Sequence, residues 1–180
     1  RVFLTEPRRG DILDINENPL ATSVPVKKLF ANPRFIGGFT EEVAGALAPA
    51  LRVSKAELAQ QLRPTIRTNG QGRWTTNMYV NLKKKVSLET WLQVTQAMAR
   101  LEVKLPNEKP SARQKQFLRT LRQQAVYAED DQQRLYPNGP LAAHLLGYVQ
   151  DREQGFNHTV VTETVGQYGI EHWFNGQLQG

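Results

Sequence analysis

The sequence predicts an α+β fold in which two extended chain ends flank a helical middle. Strand and turn signals dominate residues 1–32 and return after residue 124, whereas most of the segment between them has helical periodicity. The order of strands, then helices with one strand among them, then strands again is typical of α+β proteins. We expect residues 1–33 and 124–180 to pair as a β-rich base and residues 34–123 to form a mainly helical lobe. At 180 residues and 39% hydrophobic, the chain can bury a core without disulfides or metals.

The first 32 residues are predicted to be extended. The strand-like run DILDI leads into the turn NENP, and ATSVPVKKLFANP is rich in β-branched residues. Because proline lacks the backbone N–H that a ladder needs, Pro25 predicts an edge strand. Pro33 and the pair Gly37–Gly38 then mark the change from strand to helix.

Two helices are predicted next. The apolar residues of the first recur at helical spacing at Val43, Ala44, Leu47, Ala48 and Leu51. Thr40 is its predicted N-cap, and Pro49 is expected to kink or end it. Ser54 and Glu57 form a capping box for the second helix, which is expected to end by Pro64.

Residues 73–82 (RWTTNMYVNL) are predicted to form a strand, and two more helices follow. Ser87 caps the first of these, and Ser111 with Gln114 forms a capping box for the second. The predicted buried face of the first helix contains Leu88, Trp91, Leu92, Thr95, Met98 and Leu101. That of the second contains Phe117, Leu118, Leu121 and Ala125.

The last third of the chain is predicted to return to strands and short helices. AVYAEDDQQRLYP is expected to be extended, with Glu129, Asp130 and Asp131 in a solvated turn. GPLAAHLLGYV contains a short helix, HTVVTETV alternates like a strand, and GIEHWFNGQL is expected to close the chain as one helix.

The residue types exclude several kinds of catalytic site. With no cysteine, the chain has neither thiol chemistry nor thiolate metal ligands. The serines (Ser23, Ser54, Ser87 and Ser111) lack a lysine three residues later, and none lies in a G-x-S-x-G motif. The histidines (His144, His158 and His172) have no i, i+4 pairing, and there is no phosphate-binding or dinucleotide motif. We therefore predict no catalytic residue, no metal site and no cofactor in this chain.

Basic charge and one helix pair raise the question of nucleic acid. The net charge is +6, but the basic residues are spread along the chain. Ala46–Leu62 is similar to a helix-turn-helix, although Arg52 occupies the turn where glycine is usual and Pro49 interrupts the first helix. A plain pair of packed helices is the alternative. We keep DNA binding as a distant alternative and expect no nucleic-acid partner.

Three separate segments carry more specific motifs. The first runs from Arg9-Gly10 through a short strand, Asp14 and a turn to Leu20-Ala21. The second is marked by Arg134, Tyr136, Pro137, Gly139, Ala142, His144 and Gly147. The third is marked by Gly166, Gly169, Ile170, Glu171, Phe174, Leu178 and Gly180. In this order the three segments resemble the N-terminal non-catalytic domain, called the dimerisation or pedestal domain, of class B penicillin-binding proteins.

The chain departs from the family pattern at three places. Ile15 follows Asp14 where the family has arginine, which removes one salt bridge. Asn18 stands where the family has a turn glycine, and asparagine tolerates the positive φ of such a turn less freely than glycine does. The segment between Gly147 and Gly166 is longer than usual and predicts an extra hairpin.

The resemblance implies that one set of residues holds the base together. These residues are Arg9, Gly10, Asp14, Arg134, Tyr136, Pro137, Gly147, Gly169 and Glu171. Among them, the two arginines and two carboxylates are expected to join distant segments by charge-assisted hydrogen bonds. The three glycines are expected to permit turns and close backbone approach.

The resemblance also implies a function. The chain would be the pedestal of a peptidoglycan D,D-transpeptidase that binds stem peptides and penicillin through a domain after Gly180. A membrane anchor would precede Arg1 and place the protein outside the cytoplasm; because the chain does not begin with methionine, we expect it to be a mature or excised piece. Expected partners are proteins of cell-wall division or elongation, with a second copy as an alternative. The lobe, including the Trp74 and Trp91 regions, is the expected contact surface. A free-standing interaction module of the same fold is the alternative function.

Overall fold

A computed structural model of the chain describes residues 7–68, 74–76, 79–104, 111–140, 143–156 and 159–179. The motif positions Ala142 and Gly180 lie outside the described residues, as do His158 and the side chain of Trp74. The strands are β1 (Ile12–Leu13), β2 (Pro19–Ala31), β3 (Ile66–Thr68), β4 (Trp74–Thr76), β5 (Val80–Val86), β6 (Val126–Leu135), β7 (Val149–Phe156) and β8 (Thr159–Gly166). The helices are α1 (Pro33–Ile36), α2 (Thr40–Leu51), α3 (Lys55–Leu62), α4 (Leu88–Ala99), α5 (Ala112–Gln124), α6 (Ala143–Leu146), α7 (Gly169–Trp173) and α8 (Asn175–Leu178). None of the helices in these ranges is long and apolar enough to cross a membrane.

The chain divides into two compact units. The terminal unit contains Arg1–Val26 and Asp130–Gly180, and the central unit contains Lys27–Glu129. Strands β2 and β6, from the two ends of the chain, pair with each other. The mixed α+β class and the predicted pairing of the chain ends are therefore confirmed.

Strand β2 is not an edge strand, so the prediction made from Pro25 is wrong. It pairs antiparallel with β1 up to Ala21 and with β5 from Lys27 onward, and β6 is a third partner. Pro25 falls between the registers with β1 and β5. The missing N–H therefore interrupts neither of these two ladders, and the proline is tolerated inside a paired strand.

The central unit is built around one apolar core. Helices α2 to α5 and strands β2 and β5 supply most of its buried side chains. Fully buried members include Leu29, Ile36, Val43, Ala44, Leu47, Leu62, Val94, Leu121 and Ala125. The predicted apolar faces of α2, α3 and α5 are confirmed, and so are the caps at Ser54, Ser87 and Ser111.

Helix α2 differs from its prediction at both ends. Phe39 rather than Thr40 occupies the N-cap position, without a side-chain cap bond. The helix continues through Pro49 to Leu51 and ends where Arg52 adopts the left-handed conformation with φ 55°. The helix tolerates the proline because it lies in the last turn, where only one backbone hydrogen bond is lost before the helix stops.

Helix α4 buries only part of the face predicted for it. Val94 and Met98 are buried, whereas Leu88 and Leu92 are 47% and 59% exposed. Trp91 and Leu101 lie on the buried side with Val94 and Met98. The prediction is therefore confirmed for Trp91, Met98 and Leu101 and wrong for Leu88 and Leu92, and it missed Val94.

The two remaining β segments differ in detail from their predictions. In place of one strand over residues 73–82, the described residues there contribute to β4, which pairs with β3, and to β5, which continues to Val86. The acidic run Glu129–Asp131 lies within strand β6 rather than in a turn.

The extra hairpin is confirmed as β7–β8, in register from Val149↔Gly166 to Phe156↔Thr159. The closing helix is split into α7 and α8 around Phe174.

Candidate functional site

The terminal unit has a buried centre that is unusually polar. Its buried side chains in the described ranges include the charged residues Arg9 and Glu171, together with Ser23 and Thr164. Charged residues are almost never fully buried unless they are paired. The arrangement around Arg9 and Glu171 is therefore the first candidate for a functional site.

Backbone contacts hold the first motif in place. The N–H of Arg9 donates to Oε1 of Gln132 at 2.9 Å, and the N–H of Gly10 donates to the carbonyl of Leu178 at 2.8 Å. Gln132 also donates from Nε2 to the carbonyl of Pro7 at 3.1 Å. Strand β6 and helix α8 thus fix the segment that carries Arg9.

The guanidinium of Arg9 binds both the side-chain carboxylate and the backbone carbonyl of Glu171. Nε of Arg9 donates to Oε2 of Glu171 at 2.8 Å, and Nη2 lies 2.8 Å from the same oxygen. Nη2 also donates to the backbone carbonyl of Glu171 at 3.0 Å. Nη1 donates to Oδ1 of Asn175 at 3.1 Å and to the carbonyl of Thr164 at 3.4 Å. A single guanidinium thereby joins the first motif to β8, α7 and α8.

Arg134 approaches the same carboxylate from strand β6. Its Nε donates to Oε1 of Glu171 at 2.7 Å, while Nη1 donates to the carbonyl of Gly10 at 2.7 Å and to Oγ of Ser23 at 3.1 Å. Its Nη2 is buried without a hydrogen-bond partner among the described residues. Glu171 is therefore shared by two arginines that come from opposite ends of the sequence. We call Arg9, Arg134, Tyr136 and Glu171 the ion cluster.

The ion cluster is shielded from water. The side chains of Arg9 and Arg134 are 2% exposed, and that of Glu171 is not exposed at all. Burying charges carries a desolvation cost that only close, well-directed pairing can offset. Such a cluster therefore contributes more to a unique arrangement of segments than to net stability, and breaking it would leave a buried charge without its partner.

Tyr136 completes the cluster. Its hydroxyl donates to Oε1 of Glu171 at 3.2 Å. Burial and then the nearby Glu171 carboxylate raise the pKa of Tyr136 to about 12, because both disfavour the phenolate. The phenol is thus held in its neutral, hydrogen-bond-donating form, and it is not suited to act as a base near neutral pH.

Two motif glycines are required by close backbone approach. Gly147 (φ 78°) ends α6, and a Cβ there would collide with the carbonyl of Tyr168. Gly169 (φ 59°) begins α7, and a Cβ there would collide with the carbonyl of Leu145. The second and third motifs therefore meet backbone against backbone, beside the residue that carries the carboxylate of the ion cluster.

The structure places other predicted residues outside the cluster. Asp14 is half-buried and accepts from the backbone N–H groups of Asn16 and Asn18, both at 2.8 Å, so it closes the β1–β2 turn and does not join distant segments. The hydrogen bonds from Asn18 lower the pKa of Asp14. The positive φ in this turn is at Glu17 (64°) and not at Asn18. The short Asp14 side chain reaches only its own turn.

Gly10 and Pro137 have simpler roles than the ion cluster residues. A Cβ on Gly10 would lie 3.5 Å from Cδ2 of Leu178, which is an ordinary contact, so the expected requirement for glycine there is not met. What Gly10 supplies is the carbonyl that accepts from Arg134. Pro137 occupies the second position of a turn closed by the N–H of Gly139 donating to Tyr136 at 3.0 Å.

Sequence reasoning missed several cluster partners. Asn175 accepts from both Arg9 and the N–H of Gly166, the latter at 2.8 Å. Ser23 and Gln132 each bind one motif residue. None of these positions stands out in a single sequence, because polar side chains in strands and short helices are usually solvated. A buried arginine needs hydrogen-bond partners, but the sequence does not indicate which residues supply them.

The chemistry available at this site is structural. Across the ranges that the structure describes, no group of three or more His, Asp or Glu residues could hold a metal ion. Glu171 is fully committed to Arg9, Arg134 and Tyr136. Nδ1 of His172 lies 3.2 Å from the carbonyl of Gly166. The cluster thus fixes three chain segments relative to one another within the terminal unit.

Comparison with known proteins agrees with this arrangement. The family model described as the penicillin-binding protein dimerisation domain matches residues 4–180. The chain belongs to this family. It is 26% identical to the peptidoglycan D,D-transpeptidase FtsI of Escherichia coli K12, over 98% of this chain and 24% of that protein. It is also 26% identical to the stage V sporulation protein D of Bacillus subtilis, over 97% of this chain and 20% of that protein. The chain thus spans about a quarter or less of the length of these curated relatives.

Solved structures share the fold. Penicillin-binding protein 2X of Streptococcus thermophilus superposes with a TM-score of 0.60 and 20% identity, over 97% of this chain and 23% of that chain. Penicillin-binding protein 2 of Helicobacter pylori, solved in a complex with MreC, has a TM-score of 0.54 and 21% identity, over 98% of this chain and 29% of that chain. The fold class is therefore that of dimerisation domains in penicillin-binding proteins.

Proposed function

We propose that this chain is the non-catalytic pedestal of a peptidoglycan D,D-transpeptidase. The observation that carries the proposal is the buried ion cluster, in which one carboxylate is held by two arginines from distant motifs. Membership of the dimerisation-domain family supports it. The pedestal sets the position and orientation of the catalytic domain and offers surface to other cell-wall proteins.

The motif residues act in this role as a rigid joint. Arg9, Arg134 and Glu171 lie in three different segments, and directional charge-assisted bonds hold those segments in one arrangement. Gly147 and Gly169 allow the last two segments to approach closely. A joint of this kind transmits orientation better than a flexible linker, because its segments cannot slide without breaking buried ion pairs.

We further propose that the base and the lobe divide the work. The terminal unit, whose bounds are close to those of the expected base, carries the catalytic domain. The central unit, whose bounds are close to those of the expected lobe, contacts partners. Several large apolar side chains of the terminal unit are exposed, namely Leu145, Tyr148, Tyr168, Trp173 and Phe174. The rings of Tyr148 and Tyr168 lie 5.5 Å apart. Exposed apolar surface is typical of interaction sites, and in this division it serves the contact of the terminal unit with the catalytic domain.

The reaction of the parent protein needs groups beyond these residues. A serine of the catalytic domain attacks the terminal D-Ala-D-Ala of a stem peptide, and D-Ala leaves. An amine of a neighbouring strand then takes the acyl group. Penicillin acylates the same serine in place of the stem peptide. This chemistry takes place outside the cytoplasm, in a protein anchored by an N-terminal helix. Protein partners of the cell-wall machinery are proposed by analogy with the relative that was solved with MreC.

Fluorescent penicillin tests the proposed function. We expect it to label the full-length protein in source membranes, and peptide mapping should place the label on a serine outside residues 1–180. The 180-residue chain alone should remain unlabelled. If an intact, folded full-length protein takes up no label, the alternative function, a free-standing interaction module, is favoured.

A variant separates the positioning role from the chemistry. In the full-length protein, Glu171→Gln should leave the rate of penicillin acylation within about twofold, because the serine lies in another domain. The same variant should fail to replace the wild type in cell-wall synthesis in vivo. The matched control is Glu17→Gln, which removes an exposed carboxylate from the same unit and should behave as the wild type. A variant that loses acylation as strongly as growth would contradict a purely positional role.

A further inference from the structure

The two units of the chain carry opposite net charges. The central unit contains 18 Lys and Arg residues against seven Asp and Glu residues, a formal charge of +11. The terminal unit contains five against ten, a formal charge of −5. The modest overall charge of +6 therefore conceals a strongly basic central unit. An imbalance of this size indicates attraction to an anionic partner.

Helix α5 carries the most one-sided part of this charge. Its thirteen residues, ARQKQFLRTLRQQ, include four basic and no acidic side chains. By contrast, α2 and α3 mix charges, and Lys55 of α3 lies 3.4 Å from Glu41 of α2. Nothing in the sequence of α5 itself can neutralise its positive charge.

The basic side chains of α5 form a row on its outer face. Lys115, Arg119 and Arg122 are spaced by four and then three residues, which places them on one side of a helix over about 10 Å. All three are exposed, whereas Leu121, on the opposite side, is buried in the core. The core packing of α5 thus turns this row toward solvent.

The row has no carboxylate partner among the described residues. The side chains of Lys115 and Arg119 make no hydrogen bond or ion pair with any of them. Arg122 donates from Nε and Nη2 to the carbonyl of Leu101, at 3.1 and 2.8 Å, which orients the guanidinium but leaves its charge uncompensated. The charges of this row are available to an incoming group.

Segments next to α5 also carry exposed arginines. Arg100 is exposed and adjoins Leu101, whose carbonyl Arg122 binds. Arg34 is exposed on α1, and α1 packs against α5 where Gly37 approaches the ring of Phe117. Exposed arginines therefore also lie on the segments next to α5.

We propose that the α5 row, Lys115, Arg119 and Arg122, is a docking surface for an acidic segment of a partner protein, with carboxylates at helical spacing. This inference names the partner chemistry of the proposed contact role of the central unit. Two of the three residues are arginine, whose planar fork can donate two parallel hydrogen bonds to one carboxylate, whereas a membrane surface needs only point charges. A membrane-binding helix would also present apolar side chains beside the charges, but Phe117, Leu118 and Leu121 pack on the core.

The test uses the 180-residue chain and a fluorescein-labelled helical peptide. The peptide carries Glu at positions i, i+4 and i+7, and a peptide of the same composition in scrambled order is the comparison. Fluorescence anisotropy should show binding that weakens from about 50 mM to about 300 mM salt, because the interaction is between exposed charges. The scrambled peptide should bind more weakly at either salt concentration.

Charge reversal locates the surface. The double variant Lys115→Glu with Arg119→Glu should weaken peptide binding about tenfold, because two attractions become repulsions. The matched control, Arg52→Glu with Arg63→Glu, changes the net charge equally at exposed positions outside α5 and should weaken it by less than about threefold. The far-ultraviolet circular dichroism of both variants should match that of the wild type, and Lys115→Gln with Arg119→Gln should give an intermediate loss.

Several results would overturn the proposal. They are an absence of peptide binding, equal weakening by both double variants, or tighter binding to phosphatidylglycerol vesicles or duplex DNA than to the acidic peptide. Each can occur whether or not the full-length protein is labelled by penicillin. The peptide assay and the labelling assay therefore fail independently.

Discussion

Replacing Glu171 by glutamine tests whether the ion cluster holds the terminal unit together. The substitution keeps the size of the side chain and removes its charge. It leaves the guanidinium groups of Arg9 and Arg134, each 2% exposed, without a countercharge. The new amide nitrogen would also face N–H donors at distances of 2.7–2.8 Å, where only an acceptor fits.

The expected loss is large for a single atom change. Removing one partner of a buried ion pair costs about 3–5 kcal/mol, because the remaining charge stays buried and unpaired. For a chain of this length, each kcal/mol lowers the melting temperature by about 2–4 °C. We therefore expect Glu171→Gln to melt about 6–20 °C below the wild type.

Thermal and urea unfolding followed by circular dichroism measure this loss. Glu17→Gln, the same chemical change at an exposed position in the same unit, should stay within about 0.5 kcal/mol of the wild type. A double-mutant cycle between Glu171→Gln and Arg134→Met should give a coupling free energy above about 1 kcal/mol. A loss below about 1 kcal/mol for Glu171→Gln would refute the reasoning, since a cluster so weakly coupled could not position anything.

Three further predictions concern other parts of the fold. Because the folded-state pKa of Tyr136 is raised from 10.0 to about 12, its contribution to stability is complete below pH 10 and is lost as the pH rises toward 12; Tyr136→Phe should abolish that loss in alkaline unfolding curves. Gly147→Ala should destabilise far more than Gly139→Ala in urea unfolding: both glycines have positive φ, but only Gly147 has a carbonyl in the way of a Cβ, and equal losses would argue against the close approach. Met98→Ala should cost about 2–5 kcal/mol and Leu92→Ala less than about 0.5 kcal/mol, and the reverse order would contradict the burial of Met98 and the exposure of Leu92.

The local structure was largely predictable because it depends on short-range chemistry. Ser54, Ser87 and Ser111 accept hydrogen bonds from backbone N–H groups three residues later, as the capping patterns indicated. The β7–β8 hairpin followed from the length and alternation of its segment. These signals are reliable because the residues that form each feature are close in sequence.

The errors arise where packing decides between locally equivalent alternatives. Helix α4 has apolar residues on more than half of its circumference, so periodicity alone could not choose between Leu92 and Val94 as the buried position. Pro25 was judged by its own missing N–H, although the register of its neighbours decides whether that N–H is needed. In both cases the tertiary partner carries the information.

The candidate site was predictable only in part, for a related reason. The motif resemblance selected Arg9, Arg134, Tyr136 and Glu171, and the structure brings these four together. It also selected Asp14, whose short side chain accepts hydrogen bonds from its own turn instead. A motif identifies which residues a family retains, but whether a carboxylate serves a distant arginine or a nearby N–H depends on its reach.

The charge distribution separates two roles that the overall composition hides. In the terminal unit, the arginines of the ion cluster point inward and are bound to a carboxylate, so their charge shapes the fold. In the central unit, the arginines of α5 point outward and meet no carboxylate among the described residues, so their charge is left for a partner. The same side chain thus supports positioning in one unit and recognition in the other. It follows that Arg119→Gln should alter binding without lowering the melting temperature, whereas Arg9→Gln should lower the melting temperature whether or not a partner is present.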